Sequence, residues 1–280
     1  MNSPFFLTSL PADNLAMRQR VFAGDVFLKP ADAASTALVQ RVIGLMQERL
    51  QTTDIRTAHL QMSAEEMFER IGALRRTVYL DAEFHERVRA VVAECGFAPD
   101  RVAFDPIRLR VVQPGGHRNP LAAPVYYPHR DTWYAHSQSM IVWWVPLHDL
   151  EPEETFVFYP DQLDEPVAND SEIFDYAEWI KDGPALKIGW QKRDSGVTAR
   201  YPGSLEKTMP SHAEGFSCKT GEHLIFSGAH YHKTLPHDLA RTRYSLDFRA
   251  VHLDDEAAGR GAPNADNRSR GSTLKGYVQP

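Results

Sequence analysis

The stretch Arg243–Val251 constrains the fold more than any other part of the chain. Polar Arg243, Ser245, Asp247 and Arg249 alternate with apolar Tyr244, Leu246, Phe248 and Ala250. A period of two belongs to a strand, whose side chains point to opposite faces. One face is polar enough to line a cavity, and the other must lie under a packed layer such as helices.

The rest of the sequence supplies both layers. Ala31–Gln51 has Leu38, Val42, Leu45, Met46 and Leu50 at helical spacing, and Ser63-Ala-Glu-Glu66 reads as a capping box that opens a second helix through Thr77. Asp81 caps a third helix ending near Cys95-Gly96. From Arg101 the period changes. Ile107, Leu109 and Val111 alternate with Arg108, Arg110 and Val112, and strands are expected around Val125–Asp131, Gln138–Leu147, Thr155–Tyr159, Gly215–Lys219, His223–Phe226 and Arg243–Leu253. Many short strands punctuated by Pro and Gly predict a sandwich or barrel, packed on one face by the N-terminal helices. Trp143 and Trp144 are expected on opposite faces of a central strand, one of them towards the helices. Between 161 and 211 the pattern breaks, with one short helix at Ser171–Lys181; so long an excursion reads as a lid. The tail 254–280, rich in Asp, Arg, Gly and Asn, is expected to be mobile. The expectation is a single catalytic domain over 1–280, with a mainly helical part at 1–100 and a β core at 101–253 carrying the insertion.

Chemistry enters with His129-Arg130-Asp131. On a strand, a His and an Asp two apart point to the same side. One more His from a distant strand completes two imidazoles and a carboxylate on one face of a metal, with the opposite face open. Three histidines compete for that role: His230, His232 and His237, just after a hydrophobic strand that turns at Ser227-Gly228. His230 is the same-face neighbour of His232, a further lining residue or an alternative ligand, whereas His237 lies past Pro236 and reads as a solvated loop residue. Arg243 with Ser245 pairs a guanidinium fork with a hydroxyl, a combination suited to a carboxylate; the competing reading is an ion pair of Arg243 with Asp247 or Glu222. Arg249 either pairs with Asp247 or meets an anionic substrate, and Arg108 and Arg110 are open between the cavity and the surface. Trp133 either walls a substrate cavity or packs in the core.

The bulk properties narrow the field. A net charge of −6 with no Lys/Arg stripe speaks against nucleic acid as a partner. Cys95 and Cys218 stand alone, so neither a disulfide framework nor a Cys-rich zinc site is implied. No apolar run approaches a membrane span, and the first ten residues lack the charged lead-in of a secretion signal, so a cytoplasmic protein is expected.

Taken in order, His129-x-Asp131, His232 and Arg243-x-Ser245 resemble the Fe(II)/2-oxoglutarate-dependent dioxygenases. The wording LIFSGAHYHKTLP with RTRYSLDFR, and HRDTWY with WWVPL, is similar to the phytanoyl-CoA dioxygenase-like branch. The resemblance spans roughly Ile107 to Val251, apart from the insertion. It selects His232 as the distal ligand, because Arg243 follows it by the offset that family uses. It implies a double-stranded β-helix (jelly-roll, cupin-like) core, Fe(II) held by His129, Asp131 and His232, and 2-oxoglutarate held by Arg243 and Ser245. The implied reaction consumes O2, converts 2-oxoglutarate to succinate and CO2, and hydroxylates, desaturates or cyclises a small molecule, free or carrier-bound. Aspartate at 131 fills the position that halogenases of this class leave vacant, which turns the expectation away from chlorination. The alternative is a non-oxidative cupin-like enzyme or small-molecule binding module, which has no reason to keep Arg243-x-Ser245. A decayed scaffold should have lost a ligand, and here the set is intact.

Overall fold

The computed structural model describes residues 2–120, 122–181 and 201–280. Its N-terminal part holds β1 (Phe6–Leu7), α1 (Asn14–Phe22), β2 (Val26–Lys29), α2 (Ala33–Leu50), α3 (Ala64–Leu80) and α4 (Ala82–Glu94). The helix starts are written in short polar residues. Asp32 accepts from the Ser35 N–H at 2.8 Å while Ser35 Oγ accepts from the Asp32 N–H at 3.1 Å, a reciprocal box that opens α2. Ser63 caps α3 through the Glu66 N–H at 3.1 Å, and Asp81 caps α4 through the Glu83 N–H at 2.9 Å.

The β part comprises β3 (Val102–Phe104), β4 (Arg108–Val112), β5 (Met140–Pro146), β6 (Phe156–Phe158), β7 (His223–Ser227), β8 (His232–Thr234) and β9 (Arg243–His252). A short α5 (Tyr176–Lys181) lies in the insertion and α6 (Leu253–Ala257) follows β9. One mixed sheet runs β1-β2-β7-β5-β9, and the far edge of β9 is shared by β3 and β4. Among the described residues, β1 and β2 are the only parallel neighbours in this sheet. The period-two reading of β9 matches its packing: Tyr244, Leu246, Phe248 and Ala250 share a core with Leu38, Val42, Leu74, Val88 and Val91 of the helices. Trp143 and Trp144 do split, Trp143 stacking on Phe248 at 5.6 Å beneath the helices and Trp144 meeting Phe156 and Phe216 on the other side.

That other side is covered by β6 and β8, which form a second, two-stranded sheet extended by isolated bridges His129↔His232, Phe158↔Glu214 and Leu150↔Cys218. Phe156, Phe158, Phe216, Phe226, Val142 and Trp144 fill the space between the sheets. The architecture is thus a mixed sheet with helices on one face and a small sheet on the other, and no closed barrel forms among the described residues.

Three expectations change. Val125–Asp131 is not a strand: it is a short 3-10 turn, one bridge at His129, and a second turn at Asp131–Tyr134. Pro124 and Pro128 lack the N–H that a ladder needs, which limits pairing there. Gly215–Lys219 likewise contributes only the bridge at Cys218, next to the one at Glu214. The tail packs onto the core, with Val278 pairing Phe104, Tyr277 buried, and Asp266 receiving Arg130 and Trp133. Composition alone misjudged it, because its polar residues find buried partners. Of the expected lid over 161–211, residues 182–200 lie outside the described residues. The flanks meet at Asn169↔Ser204, closing the neck of the insertion. Among the described residues no helix is long and apolar enough to cross a membrane.

Candidate metal centre

His129 and His232 face each other across one bridge, each backbone N–H donating to the other's carbonyl at 3.0 Å. The His129 ring bonds through Nδ1 to the Tyr127 carbonyl at 2.7 Å, and the His232 ring through Nδ1 to the His230 carbonyl at 2.9 Å. A carbonyl only accepts, so each ring carries a proton on Nδ1, which leaves Nε2 as the ligating atom of the neutral ring. His129 Nε2 lies 3.5 Å from Asp131 Oδ1, and one potential ligand atom from each of His129, Asp131 and His232 falls within 4.8 Å of the others. Asp131 is not placed by strand alternation, as expected, but by the 3-10 turn it opens.

The intervening Arg130 sets that turn, a role the sequence reading did not assign. Its buried guanidinium donates to Asp266 Oδ2 at 3.0 Å and to the carbonyls of Leu163, Ala229, Gln162 and Glu165. Ala229 lies three residues before His232, so one side chain ties together the segments that carry all three candidate ligands. Gly228 also sits close to the turn: a Cβ there would stand 3.3 Å from Asp131 Cβ and would force the Met140 methyl aside.

The electrostatics keep Asp131 and His232 in their ligating states. Burial by itself pushes the Asp131 carboxyl up, but Arg249, His129 and His232 outweigh it and hold the group well below the usual carboxylate range. Burial, with the neighbouring His129, lowers His232 to about 4, so its imidazole is neutral at pH 7. Arg249 touches Asp131 Oδ2 at 3.3 Å, Asp247 Oδ2 at 2.9 Å and Asp105 Oδ2 at 3.5 Å.

Arg243 and Ser245 lie on the same face of β9, in the polar row that reaches Arg249. Arg243 is 3 % exposed and forms no ion pair among the described residues; its contacts are the Glu154 and Thr155 carbonyls at 3.4 Å and the Trp144 ring at 5.9 Å. Its Nε and the Ser245 Oγ, both buried, have no hydrogen-bond partner among the described residues. Neither competing carboxylate pairs with Arg243: Asp247 is held by Arg110 and Arg249, and Glu222 accepts from the Lys219 N–H. Burial lowers Arg243 only to about 10, which leaves it cationic at neutral pH. A buried cation beside an orphan hydroxyl is costly without an anion, and a guanidinium with a hydroxyl is chemically suited to a carboxylate.

The other candidates fall elsewhere. His230 points into Phe5, Phe158 and Phe226, with Nε2 on the Gly24 carbonyl at 3.1 Å. His237 is buried rather than solvated. Trp133 is fully buried, its indole N–H donating to Asp266 at 2.7 Å and its ring against Tyr231, which is a packing role. Arg108 pairs with Asp105 and covers Tyr79. A second His/Cys/Asp group, Asp32, Cys95 and His223, also falls within metal-ligand reach. There Asp32 already carries Lys29 at 2.6 Å, His223 at 3.1 Å and the α2 cap, and burial raises the Cys95 thiol to about 12. Asp32 is thus engaged and the Cys95 thiol stays protonated, while His223 Nδ1 is buried without a hydrogen-bond partner among the described residues.

No family model matches the chain, and no curated protein matches it. Among solved structures the chain is similar to a non-heme monooxygenase, ThoJ in its apo form, at 13% identity over 92% of this chain and 89% of that one, with a TM-score of 0.46. EvdO2 from Micromonospora carbonacea var. aurantiaca, complexed with 2-oxoglutarate, matches at 12% identity over 88% and 94%, with a TM-score of 0.47. The non-heme alpha ketoglutarate dependent epimerase SnoN matches at 14% identity over 85% and 77%, with a TM-score of 0.39.

Proposed function

We propose that the chain is a non-haem Fe(II)/2-oxoglutarate-dependent oxygenase acting on a small molecule, an amino acid derivative or natural-product intermediate, free or carrier-bound. The observation that carries this reading is the pairing of two features. One ligand atom from each of His129, Asp131 and His232 converges on one point, and the polar face of β9 carries a buried guanidinium with no anionic partner and a buried hydroxyl with no partner among the described residues. The donor set of two neutral imidazoles and one carboxylate fits a ferrous ion with open positions. In this reading the two facing sheets are the halves of a double-stranded β-helix of jelly-roll type. Buried Cys95 and Cys218, both free, fit a reducing cytoplasm.

Fe(II) with 2-oxoglutarate and O2 would supply oxidative decarboxylation to succinate and CO2 together with the power to attack an unactivated C–H bond. The chain supplies the setting. His129, Asp131 and His232 hold the metal, and the backbone acceptors on both Nδ1–H groups fix which nitrogen faces it. Arg243, with Ser245, grips the far carboxylate of the keto acid and so fixes its orientation. Asp131 occupies the position that a halide needs, which favours hydroxylation, desaturation or ring closure over chlorination.

The test is an anaerobic titration of the purified chain with Fe(II) and 2-oxoglutarate, followed in the visible region. A metal-to-ligand charge-transfer band saturating at one equivalent of each supports the reading. Metal binding with no such band points instead to a non-oxidative cupin-like protein and overturns it.

A further inference from the structure

We infer that Arg249 is a positioning residue that restricts Asp131 to one oxygen as a metal ligand. The inference rests on the metal-centre reading above and deepens it. Asp131 Oδ1 faces His129 Nε2 at 3.5 Å, whereas Oδ2 faces the Arg249 guanidinium at 3.3 Å. The two oxygens of one carboxylate therefore have different environments, one turned to the imidazole donors and one held by a fixed cation.

Arg249 is fixed by more than Asp131. It is 8 % exposed, and Asp247 and Asp105 hold its Nη1 at 2.9 and 3.5 Å, leaving Nη2 for Asp131. Asp247 is in turn held by Arg110, and Asp105 by Arg108 and the Arg249 N–H. The guanidinium sits at the end of a row of alternating charges running along β9 and β4, two strands in fixed antiparallel register. A side chain tied at three points cannot swing away when a metal arrives, so Oδ2 stays occupied.

The consequence concerns coordination. A free carboxylate can close on a metal with both oxygens. If Asp131 did so, one position needed by the keto acid chelate or by O2 would be lost. By holding Oδ2, Arg249 keeps three positions free on a metal that has only three protein ligands.

X-ray absorption fine structure of the wild-type chain loaded with Co(II) or Fe(II) reads the binding mode directly, since a carboxylate bound through both oxygens brings its carbon close to the metal. A single-oxygen carboxylate is expected in the wild type, and a two-oxygen one there would overturn the inference. In Arg249→Gln the carboxylate is expected to close on the metal, and 2-oxoglutarate affinity to fall by about tenfold or more, since the chelate must then reopen that bond. Arg249→Lys should retain the single-oxygen mode in part. Unchanged binding mode and unchanged 2-oxoglutarate affinity in Arg249→Gln would overturn it, as would loss of metal altogether. If Arg249→Gln does not fold, the wild-type spectrum and the lysine variant still decide. A wild type that binds no metal counts against the proposed function itself, a separate outcome.

Discussion

His129 and His232, a hundred residues apart in the chain, are each other's backbone partners, with both N–H···O distances at 3.0 Å and imidazole centroids 4.5 Å apart. A ladder pair fixes the separation of its two Cα atoms. The placement of the two imidazoles is therefore set by main-chain pairing, before any metal binds.

Because the pairing is main-chain, it survives loss of a ring. His129→Ala should lose stoichiometric Fe(II) or Co(II) while the metal-free chain keeps its stability within about 1 kcal/mol, a shift of roughly 2–4 °C in unfolding temperature. Metal content and a thermal melt check the two halves. A variant that keeps its metal removes His129 from the ligand set.

Arg243→Ala separates the co-substrate anchor from the metal. Hydrogen bonds to charged groups contribute about 1.5–3 kcal/mol each, so 2-oxoglutarate affinity should fall by roughly ten- to a hundredfold with metal content unchanged. Calorimetric titration of the metal-loaded protein measures this. The stabilisation of the wild type by 2-oxoglutarate should shrink in parallel, since only ligand bound to the folded state adds stability. Loss of metal in this variant would mean that Arg243 has another role.

Much of this arrangement is legible in the sequence where periodicity governs. The two faces of β9 and the split of Trp143 from Trp144 follow from alternation, and the starts of α3 and α4 from Ser63 and Asp81. What is not legible depends on contacts distant in sequence. Arg130 looked like a spacer in His-x-Asp, yet it organises the turn through carbonyls some thirty and a hundred residues away. Arg249 could be read as a partner of Asp247, but its contact with Asp131 comes from a turn that Pro128 and Arg130 impose in place of a strand. Asp266 gave no signal at all, because a lone acidic residue in a polar tail looks solvated until its partners are known.

Asp266 makes the tail a structural part of the site. Its carboxylate takes Arg130 Nε at 3.0 Å, the Trp133 indole N–H at 2.7 Å and the Val167 N–H at 2.9 Å. Asp266→Ala leaves a buried arginine without its counter-charge, a loss of about 3–5 kcal/mol. Urea unfolding of the metal-free protein should show that loss, and metal affinity should fall as the Arg130 turn loosens. A change below about 1 kcal/mol would show that the tail does not brace the turn.

Buried histidines give the chain a defined acid limit. Burial, with smaller contributions from neighbouring charges, lowers His136 and His230 to about 3 and His148 to about 4, from an ordinary value of 6.5. Between those values and 6.5 the unfolded chain binds protons that the folded chain does not. Stability therefore rises with pH across this window, is fully present above about 6.5, and is lost as pH falls towards 4. Each histidine contributes a slope of at most about 1.4 kcal/mol per pH unit, so the three together reach about 4 kcal/mol per unit near pH 5. Depressed carboxylates such as Asp247 act in the same direction at still lower pH, where they take up protons only on unfolding. Unfolding free energies of the metal-free protein at pH 7, 6 and 5 measure the slope. A flat profile would show that these rings are protonated in the fold, with partners other than those seen here.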